Sequence, residues 1–279
     1  MRSRHRIFVS VENNAYCGWQ SKLFYFSSIT RLNRKPTFIV HDSRRSKWHP
    51  DFHELASAGA TVVAAPSYIQ SIRDTYRPRN AAGSLIHAAE MCDKDDLIVL
   101  CDPDMIFLGK PKFPKSLAFN FYFYMDYDRV EVNAARRKLR IPISKVEAQK
   151  EELRGGVPWV IPASVARQLG TVWLEAIDAF VPRHWIDNMH AFGLAVTKLD
   201  LKVARMDLLD MNLDHFAKAQ RTMIHYCYGD KTWDKRSFRG KKQAEKVWYP
   251  EVSARKGTIL GEILSQITDA RKFYKKLSS

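Results

Sequence analysis

Five consecutive apolar residues, Leu97–Cys101, constrain the fold of this chain more than any other feature. The run is too short to span a membrane and lacks the alternation of a half-exposed strand, so it predicts a central strand buried on both faces. Strands of that kind belong to mostly parallel sheets covered by helices. Asp102 and Asp104 follow the run directly, where the strand would leave the core.

The Asp102-Pro103-Asp104 segment has two competing explanations. Residues i and i+2 of a strand point to the same side, so the two carboxylates could converge on one cation. Asp-Pro-Asp is also good turn chemistry, and in an arbitrary protein a solvated turn is the more frequent outcome. The rest of the chain must decide between a turn and a metal site.

Strand and helix patterns alternate through the first hundred residues. Short strands are predicted at residues 7–11, 37–40 and 61–65, with helical periodicity between them and Asn80 as the expected N-cap of the helix before Leu97. This order predicts an α/β fold with a mostly parallel central sheet flanked by helices. Ligands in such sheets bind beyond the carboxyl ends of the strands, which favours a site at the aspartate pair.

The second half of the chain is less regular. Residues 117–124 are rich in strand formers, Gly155 and Gly156 are expected in a loop that enters a short strand, and residues 223–229 predict a late strand. Three segments favour helices, namely 136–150, 164–180 and Ile259–Leu277. Without an internal repeat or linker-like composition, a single domain is the simplest interpretation.

The charge balance limits the partners that we expect. The chain of 279 residues carries 45 Lys and Arg against 30 Asp and Glu, a formal net charge of +15. Such an excess favours a polyanionic partner or an anionic surface, although it also serves solubility. Its four cysteines form no Cys-x-x-Cys pair, which is typical of reduced thiols in a cytosol. No apolar run approaches the roughly 18 residues of a membrane span, and no signal peptide is predicted, so we expect a cytoplasmic protein.

His225 lies in the otherwise apolar strand predicted at 223–229. A lone histidine in such a strand is more often a packed core residue than a ligand. Here Lys231 and Lys235 follow closely, and lysines can bind phosphates. A neutral imidazole with two carboxylates makes a mixed nitrogen and oxygen set suited to Mn²⁺ or Mg²⁺. Together these groups predict a nucleotide-sugar site.

A class of phosphotransferases also carries Asp-x-Asp after a strand, with the first aspartate as nucleophile. Their pair closes the first strand of the fold and precedes small polar residues. Here the pair closes about the fourth strand and precedes Met105, Ile106 and Phe107, which disfavours that class.

Several short motifs occur in a fixed order between residues 6 and 240. They are Trp19-Gln20, Asp102-Pro103-Asp104-Met105-Ile106-Phe107 with Lys110-Pro111, Gly155-Gly156-Val157-Pro158-Trp159-Val160-Ile161, Ala191-Phe192-Gly193, Ile224-His225-Tyr226-Cys227-Tyr228-Gly229, and Trp233-Asp234-Lys235-Arg236-Ser237-Phe238. The aspartate pair resembles the Asp-x-Asp of GT-A glycosyltransferases. The other motifs, in their order, resemble the hydroxyproline O-arabinosyltransferase and peptidyl-serine galactosyltransferase group.

The resemblance implies a Rossmann-like GT-A fold and a UDP-sugar donor. In such enzymes the Asp-x-Asp and a late histidine hold Mn²⁺ or Mg²⁺ on the diphosphate, roles that fall to Asp102, Asp104 and His225. A lysine after the histidine clamps the phosphates, and both Lys231 and Lys235 qualify. The group is similar to retaining transferases, in which the acceptor hydroxyl attacks from the face that the diphosphate leaves.

The resemblance also implies further site residues. Asp187 is the best remaining carboxylate for a catalytic contact with sugar or acceptor, with a helix N-cap as the alternative role. By function the chain would divide into a nucleotide-sugar-binding half (1–111), an acceptor-side half with the metal- and phosphate-binding segment (112–240) and a C-terminal basic helix (241–279). The remaining donor-binding residues are expected to be Val11, Glu12, Asn13, Arg79, Asn80, Gly155 and Gly156.

The acceptor is inferred from charge. The named relatives glycosylate secreted peptides, whereas this chain clusters its cations at 31–47, 136–150, 235–246 and 271–276. A polyanion that offers a hydroxyl group in the cytoplasm of a bacterial or phage-infected cell is DNA bearing 5-hydroxymethylpyrimidines such as 5-hydroxymethylcytosine. Aromatic residues within 119–127 could stack an extruded base, although core packing is their more frequent role. Peptide hydroxyls, an anionic envelope glycan, and nucleic-acid binding by a degenerate transferase fold are the alternatives.

Overall fold

The computed structural model describes residues 4–42, 47–69, 76–181, 183–211, 214–227 and 229–277. Ten strands occur in these ranges: β1 His5–Glu12, β2 Thr37–Asp42, β3 Thr61–Pro66, β4 Leu97–Cys101, β5 Met105–Phe107, β6 Ala118–Phe121, β7 Gly155–Pro162, β8 Ala204–Met206, β9 Leu209–Met211 and β10 Met223–His225. The α-helices are α1 Ala15–Leu32, α2 Pro50–Ser57, α3 Arg79–Glu90, α4 Val130–Lys138, α5 Ile143–Glu147, α6 Ala163–Ala179, α7 Asp187–Lys198, α8 Lys241–Lys246 and α9 Ile259–Leu277, and a 3₁₀ helix covers Lys235–Phe238.

The strands form two sheets. The central sheet has seven strands in the order β3-β2-β1-β4-β7-β6-β8 and is mostly parallel, with β7 antiparallel to β4 and β6. The smaller sheet has the order β5-β10-β9. Every residue of β4 is buried, as the apolar run predicts. The predicted α/β fold with a mostly parallel, helix-flanked sheet is therefore confirmed.

The chain folds into two compact units that alternate along the sequence. The first unit contains residues Met1–Ser10, Ala65–Cys101 and Phe113–Asp207. The second unit contains residues Val11–Ala64, Asp102–Lys112 and Leu208–Ser279. The predicted division of the chain by function, at residues 111 and 240, stays a prediction.

In the first unit, α6 packs its apolar face on β7 and α7. The Trp173 ring lies 5.0 Å from Trp159 of β7 and 4.5 Å from Phe192 of α7, measured between ring centroids. Its indole nitrogen donates to the carbonyl of Asn188 at 2.9 Å, so this large apolar side chain is buried without losing its hydrogen bond. Burial of these rings fixes the start of α7 against the sheet.

In the second unit, α1 and α9 enclose an apolar core. The helix α1 is capped at its start by Asn14, whose side chain accepts from the amide of Cys17. Its C-cap is Asn33, which adopts a left-handed conformation. Phe24 of α1 contacts Phe38 and Phe107 edge-on. Gln266 of α9 donates to the carbonyl of Phe107 at 2.9 Å, which ties α9 to the small sheet.

Two predicted features of the first unit are wrong in detail. The N-cap of α3 is Pro78 rather than Asn80, because the Asn80 side chain accepts instead from the amide of Tyr68 at 2.8 Å. The helix predicted over 136–150 is split into α4 and α5, since Arg140 adopts a left-handed conformation with φ of 56°.

Two predicted loop and strand boundaries also differ. Gly155 and Gly156 lie inside β7 rather than in a loop before it. A Cβ atom on Gly155 would lie 2.6 Å from the Asn120 carbonyl oxygen, and one on Gly156 would lie 2.5 Å from the Met189 sulfur. Glycine at both positions therefore allows a close approach within the sheet. The late strand ends at His225, and Tyr228 lies outside the described residues.

Within the described part of the chain, none of the helices combines the length and apolarity that crossing a lipid bilayer requires. The four cysteines are free thiols, as their spacing predicts. Burial raises the pKa of the Cys92 thiol to about 11, which keeps that group protonated at neutral pH.

Candidate metal and phosphate site

The turn after β4 presents the two aspartates. Asp104 is buried, and its backbone carbonyl accepts from the amide of Tyr226, which directly follows β10. The Tyr226 hydroxyl donates to the carbonyl of Pro103 at 3.4 Å. The segment is thus a turn, and that turn is held in place by the end of a neighbouring strand. The two explanations of the Asp-Pro-Asp segment are therefore compatible.

Strand pairing brings His225 to the same point. It lies opposite Met105 in the antiparallel pairing of β10 with β5. His225 Nε2 is 3.3 Å from Asp104 Oδ1, and single ligand atoms of Asp102, Asp104 and His225 all lie within 4.8 Å of one another. The convergence predicted from three positions spread over 120 residues is present in the structure.

These three side chains could hold a divalent metal ion. Two carboxylate oxygens and one imidazole nitrogen form the mixed oxygen and nitrogen donor set that Mn²⁺ and Mg²⁺ sites use. The three ligand atoms lie close enough together for one cation to contact all of them. The donor set and its compactness fit the predicted ion.

Lys235 supplies a cation at this point. Its Nζ contacts Asp104 Oδ2, and its side chain is 12% exposed. The 3₁₀ helix that carries Lys235 begins after Asp234, whose carboxylate accepts from the amide of Arg236 at 2.7 Å. Gly229 permits the preceding loop to close, because a Cβ there would lie 2.3 Å from the Asp234 Cα. Of the two predicted phosphate-binding lysines, the structure brings Lys235 to the site, whereas Lys231 is exposed.

The charges in the cluster do not balance. Two carboxylates face a single ammonium group and an imidazole, so negative charge is in excess whenever the imidazole is neutral. Burial and the neighbouring Asp104 raise the pKa of Asp102 to about 6, partly offset by His225 and Lys235. Burial would also raise the pKa of Asp104, but Lys235 and His225 outweigh it and hold that pKa well below its usual range. The group that remains undercompensated is Asp102.

Aromatic side chains enclose one side of the cluster. Trp19 of α1 stacks on Tyr226 with 6.0 Å between ring centroids, and Trp233 contacts the same ring edge-on. Trp19 Nε1 donates to the carbonyl of Phe238, which fixes the 3₁₀ helix against α1. Burial and the charge of Asp104 raise the pKa of Tyr226, keeping its hydroxyl neutral. These rings lower the polarity around the cluster and strengthen its electrostatic interactions.

Tyr16 is a residue near this cluster that the sequence did not single out. Its ring contacts Trp19, and the guanidinium of Arg239 lies 5.7 Å from its ring centroid. Burial raises the pKa of Tyr16, while Lys235 opposes that shift. The i, i+3 spacing of Tyr16 and Trp19 on α1 was the available signal, since it places both rings on one face of the helix.

The predicted nucleotide contacts fall in both units. In the second unit, Val11 is buried, Glu12 ends β1, and the Asn13 side chain donates to Asp42 Oδ2 at 2.8 Å and accepts from the amide of His49 at 2.7 Å. In the first unit, Arg79 donates to the carbonyl of Tyr68 and pairs with Asp178. Roles of these residues and of Asn80, Gly155 and Gly156 in donor binding stay predictions.

Asp187 lies in the first unit, at the start of α7, and is 2% exposed. Its Oδ1 is 3.3 Å from a guanidinium nitrogen of Arg129, and its Oδ2 accepts from the amide of His184 at 2.6 Å. The N-cap of α7 is Ile186, and the Asp187 carboxylate binds an amide that precedes the helix, so the alternative N-cap role of Asp187 is wrong. Its predicted catalytic role stays a prediction.

The aromatic run within residues 119–127 divides between the core and the surface. Phe119, Tyr122 and Tyr127 are buried, so half of the six aromatic residues in the run pack the core. Phe123 is 58% exposed. Ring contacts link Phe123 to Tyr124 and Tyr124 to Trp185. These contacts form a short exposed row in the first unit.

Comparison with known proteins adds evidence for the fold. No family model matches the chain, and no curated protein matches it in sequence. The structure is similar to the apo structure of the bifunctional glycosyltransferase WbbM, with a TM-score of 0.52 and 12% sequence identity. The similarity covers 100% of this chain and 52% of that one, so the chain spans about half the length of WbbM. The chain thus has a glycosyltransferase fold, and its membership of a particular group stays a prediction.

Proposed function

We propose that this protein is a glycosyltransferase that uses a divalent metal ion and a nucleoside-diphosphate sugar. The observation that carries the proposal is the convergence of Asp102, Asp104 and His225 at the end of a buried strand, with Lys235 in contact. A glycosyltransferase fold makes a sugar nucleotide the natural ligand of such a cluster. UDP is the nucleotide that the sequence resemblance favours, and arabinose, glucose and galactose are the candidate sugars.

Each residue of the cluster has a task in this proposal. Asp102, Asp104 and His225 would hold Mn²⁺ or Mg²⁺, which when bound neutralises diphosphate charge and stabilises the leaving group. Lys235 would bind a phosphate oxygen through its ammonium group, which a rotation of its own side chain can move away from Asp104. Tyr226 and Trp233 would limit the access of water to these charges. Attack by the acceptor hydroxyl from the face of the leaving diphosphate would retain the anomeric configuration.

DNA bearing 5-hydroxymethylpyrimidines is the acceptor that we propose. The support is charge, since the second unit contains 24 Lys and Arg against 14 Asp and Glu and so holds most of the net positive charge. Cations bind a phosphate backbone without reading its sequence, while chemistry on a base requires access to that base. Asp187 remains our candidate for a contact with the sugar or the acceptor.

The metal and donor part of the proposal can be tested without any acceptor. Calorimetry would measure Mn²⁺ binding, and assays of released nucleoside diphosphate would measure hydrolysis of a panel of nucleotide sugars. We expect Asp104→Asn to weaken Mn²⁺ binding at least about a hundredfold and to abolish hydrolysis, and EDTA to abolish hydrolysis in the unchanged protein. Asp95→Asn is the matched control, because Asp95 is exposed and should change neither quantity. Full hydrolysis in EDTA would overturn the metal assignment.

The acceptor requires a separate measurement. Hydroxymethylated duplex DNA, unmodified DNA, and peptides containing hydroxyproline or serine would each be incubated with the protein and the donor panel, then analysed by mass spectrometry. A mass increase of one sugar on the hydroxymethylated DNA is the expected result. A sugar on the peptides, with none on the DNA, would transfer the proposal to protein acceptors.

A further inference from the structure

A second cleft, of about 800 Å³, opens in the second unit and shares no lining residue with the metal cluster. Lys22 of α1 lies at its floor, Trp248 and Tyr249 line it after α8, and α9 contributes Arg271, Lys272 and Lys275. Two carboxylates, Glu54 and Glu245, also line it, so the cleft combines flat aromatic walls with four cations and two anions. The proposed metal and donor chemistry gives this cleft no role, although its α9 cations belong to the clusters that favour a DNA acceptor.

The charged groups at the floor of the cleft are already paired within the protein. Lys22 is 6% exposed, and its Nζ lies 2.5 Å from Glu54 Oε2 and 3.4 Å from Asp51 Oδ1. The same ammonium lies 5.2 Å from the Trp248 ring centroid and 4.7 Å from that of Tyr274. The charge of Lys22 is therefore neutralised within the protein, and ligand binding depends on the rim.

Aromatic and cationic side chains at the rim of the cleft are exposed to solvent. Tyr249 is 67% exposed, and the guanidinium of Arg271 lies 4.8 Å from its ring centroid while donating to the carbonyl of Trp248 at 3.1 Å. The Lys272 side chain is 70% exposed and only loosely paired, with Asp269 at 3.5 Å. Lys275 is exposed one turn along α9. Arg271 thus holds the exposed tyrosine ring in place beside two solvent-facing ammonium groups.

The surrounding segment is strongly basic. Residues 235–279 contain 12 Lys and Arg against four Asp and Glu. Lys241, Lys242 and Lys246 of α8 are all exposed. This excess of exposed cations attracts a polyanion and would make its binding depend on salt.

We infer that this cleft binds a single-stranded stretch of nucleic acid. Tyr249 stacks a base on its exposed face, and Arg271, Lys272 and Lys275 bind the adjoining phosphates. An aromatic platform beside a row of cations is the arrangement by which proteins hold unpaired strands without sequence preference. The inference rests on the proposed function in one respect, since it gives the DNA acceptor a place on the protein outside the transfer site.

Binding is measured by fluorescence anisotropy with a labelled oligothymidine of about a dozen nucleotides, without metal or donor. A strand of the same length and charge that lacks bases is the second probe. For the unchanged protein we expect tighter binding of oligothymidine than of the abasic strand, with an affinity that falls steeply as salt rises. No binding of either strand at low salt would overturn the inference.

Single substitutions separate stacking from charge. Tyr249→Ala should weaken oligothymidine binding about tenfold and leave the abasic strand unaffected, because stacking on one ring is lost. Tyr249→Phe should restore most of the affinity. Lys275→Gln should weaken both probes and reduce the slope of log affinity against log salt by about 0.7, the value for one phosphate contact with a single strand. Lys115→Gln, an exposed charge in the first unit, is the matched control.

The outcomes also separate this inference from the proposed function. If Tyr249→Ala binds both probes as the unchanged protein does, the cleft is not a strand-binding site, although transfer to DNA could still be observed. If Asp104→Asn keeps full oligothymidine binding while donor hydrolysis depends on neither metal nor Asp104, the cleft assignment stands and the transferase assignment fails. Equal binding of the two probes would make the surface a general polyanion site and overturn the nucleic-acid assignment.

Discussion

Asp104 in the second unit and Asp187 in the first are both almost fully buried carboxylates that face a cationic side chain, yet their surroundings differ. Asp187 has one guanidinium, that of Arg129, and one backbone amide, so its charge and its hydrogen-bonding capacity are largely matched. Asp104 shares Lys235 and His225 with a second carboxylate, Asp102. Burial of an acid is therefore common to both places, and the excess of negative charge is the feature that distinguishes the candidate site.

The largest expected effect is on metal binding at the cluster with excess charge. Asp104→Asn removes one of three ligands, so we expect Mn²⁺ affinity to fall at least about a hundredfold. Asp187→Asn should leave Mn²⁺ affinity unchanged. Isothermal titration of both variants measures this, and equal losses in the two would remove the distinction between the aspartates.

The next largest effect is on stability, which should depend on Asp187 rather than on Asp104. Asp187→Asn removes the buried partner of the Arg129 guanidinium, which keeps only Glu131 at 3.4 Å, and we expect the free energy of unfolding to fall by about 2 kcal/mol. Denaturant unfolding monitored by circular dichroism measures this change. Asp126→Asn, at an exposed carboxylate of the same unit, is the control. An unchanged unfolding midpoint for Asp187→Asn, together with lost sugar transfer, would instead support the predicted catalytic role.

The pH dependence of metal binding should report on Asp102. Its pKa is raised to about 6 by burial and by Asp104, and a metal ion binds the deprotonated carboxylate. Protonation therefore competes with the ion below pH 6, so affinity should fall as pH decreases from 6 to 5, by up to about tenfold for this one proton. Above about pH 7 the Asp102 carboxylate is almost fully deprotonated, so metal affinity should no longer change through this group. Metal titrations at a series of pH values measure this dependence of affinity on pH. The Asp102→Asn variant, measured at the same pH values, should not show it.

The smallest effect concerns the ammonium group that lies on Asp104. Lys235→Met removes a cation that competes for the same carboxylate, so Mn²⁺ affinity should rise severalfold while donor hydrolysis falls. Lys231→Met is the matched control, since that lysine is exposed in the same loop. Weaker metal binding in Lys235→Met would show that the lysine supports the cluster rather than competing with it.

The parts of the fold that could be predicted are those set by local pattern. The apolar run of β4 and the helix α9 lie at the residues that the periodicity predicts. The pairing near residue 119 could not be predicted, because β7 places two extra residues, Val157 and Pro158, opposite the single step from Phe119 to Asn120 in β6. Asn80 was misassigned because a tertiary contact with Tyr68, which no local pattern encodes, uses its side chain.

The residues that converge at the candidate site could be predicted from the sequence, but the balance of charge among them could not. Asp102, Asp104 and His225 carry chemistry that the sequence displays directly, since metal-ligating residue types stand at strand ends. The choice between Lys231 and Lys235 depends on how tightly the loop closes at Gly229, which is a matter of backbone approach. The pairing of Asp187 with Arg129 joins residues 58 positions apart and required the packed structure.

The contact between Lys235 and Asp104 has a consequence for handling the protein. Because an internal ammonium group already offsets part of the carboxylate charge, the three ligands need no ion to remain together. Chelation should therefore leave the melting temperature almost unchanged, unlike in small domains whose folding depends on their metal. If the cluster binds Mn²⁺ or Mg²⁺ as proposed, the metal-free protein should keep its fold in storage and gain activity when the ion is added.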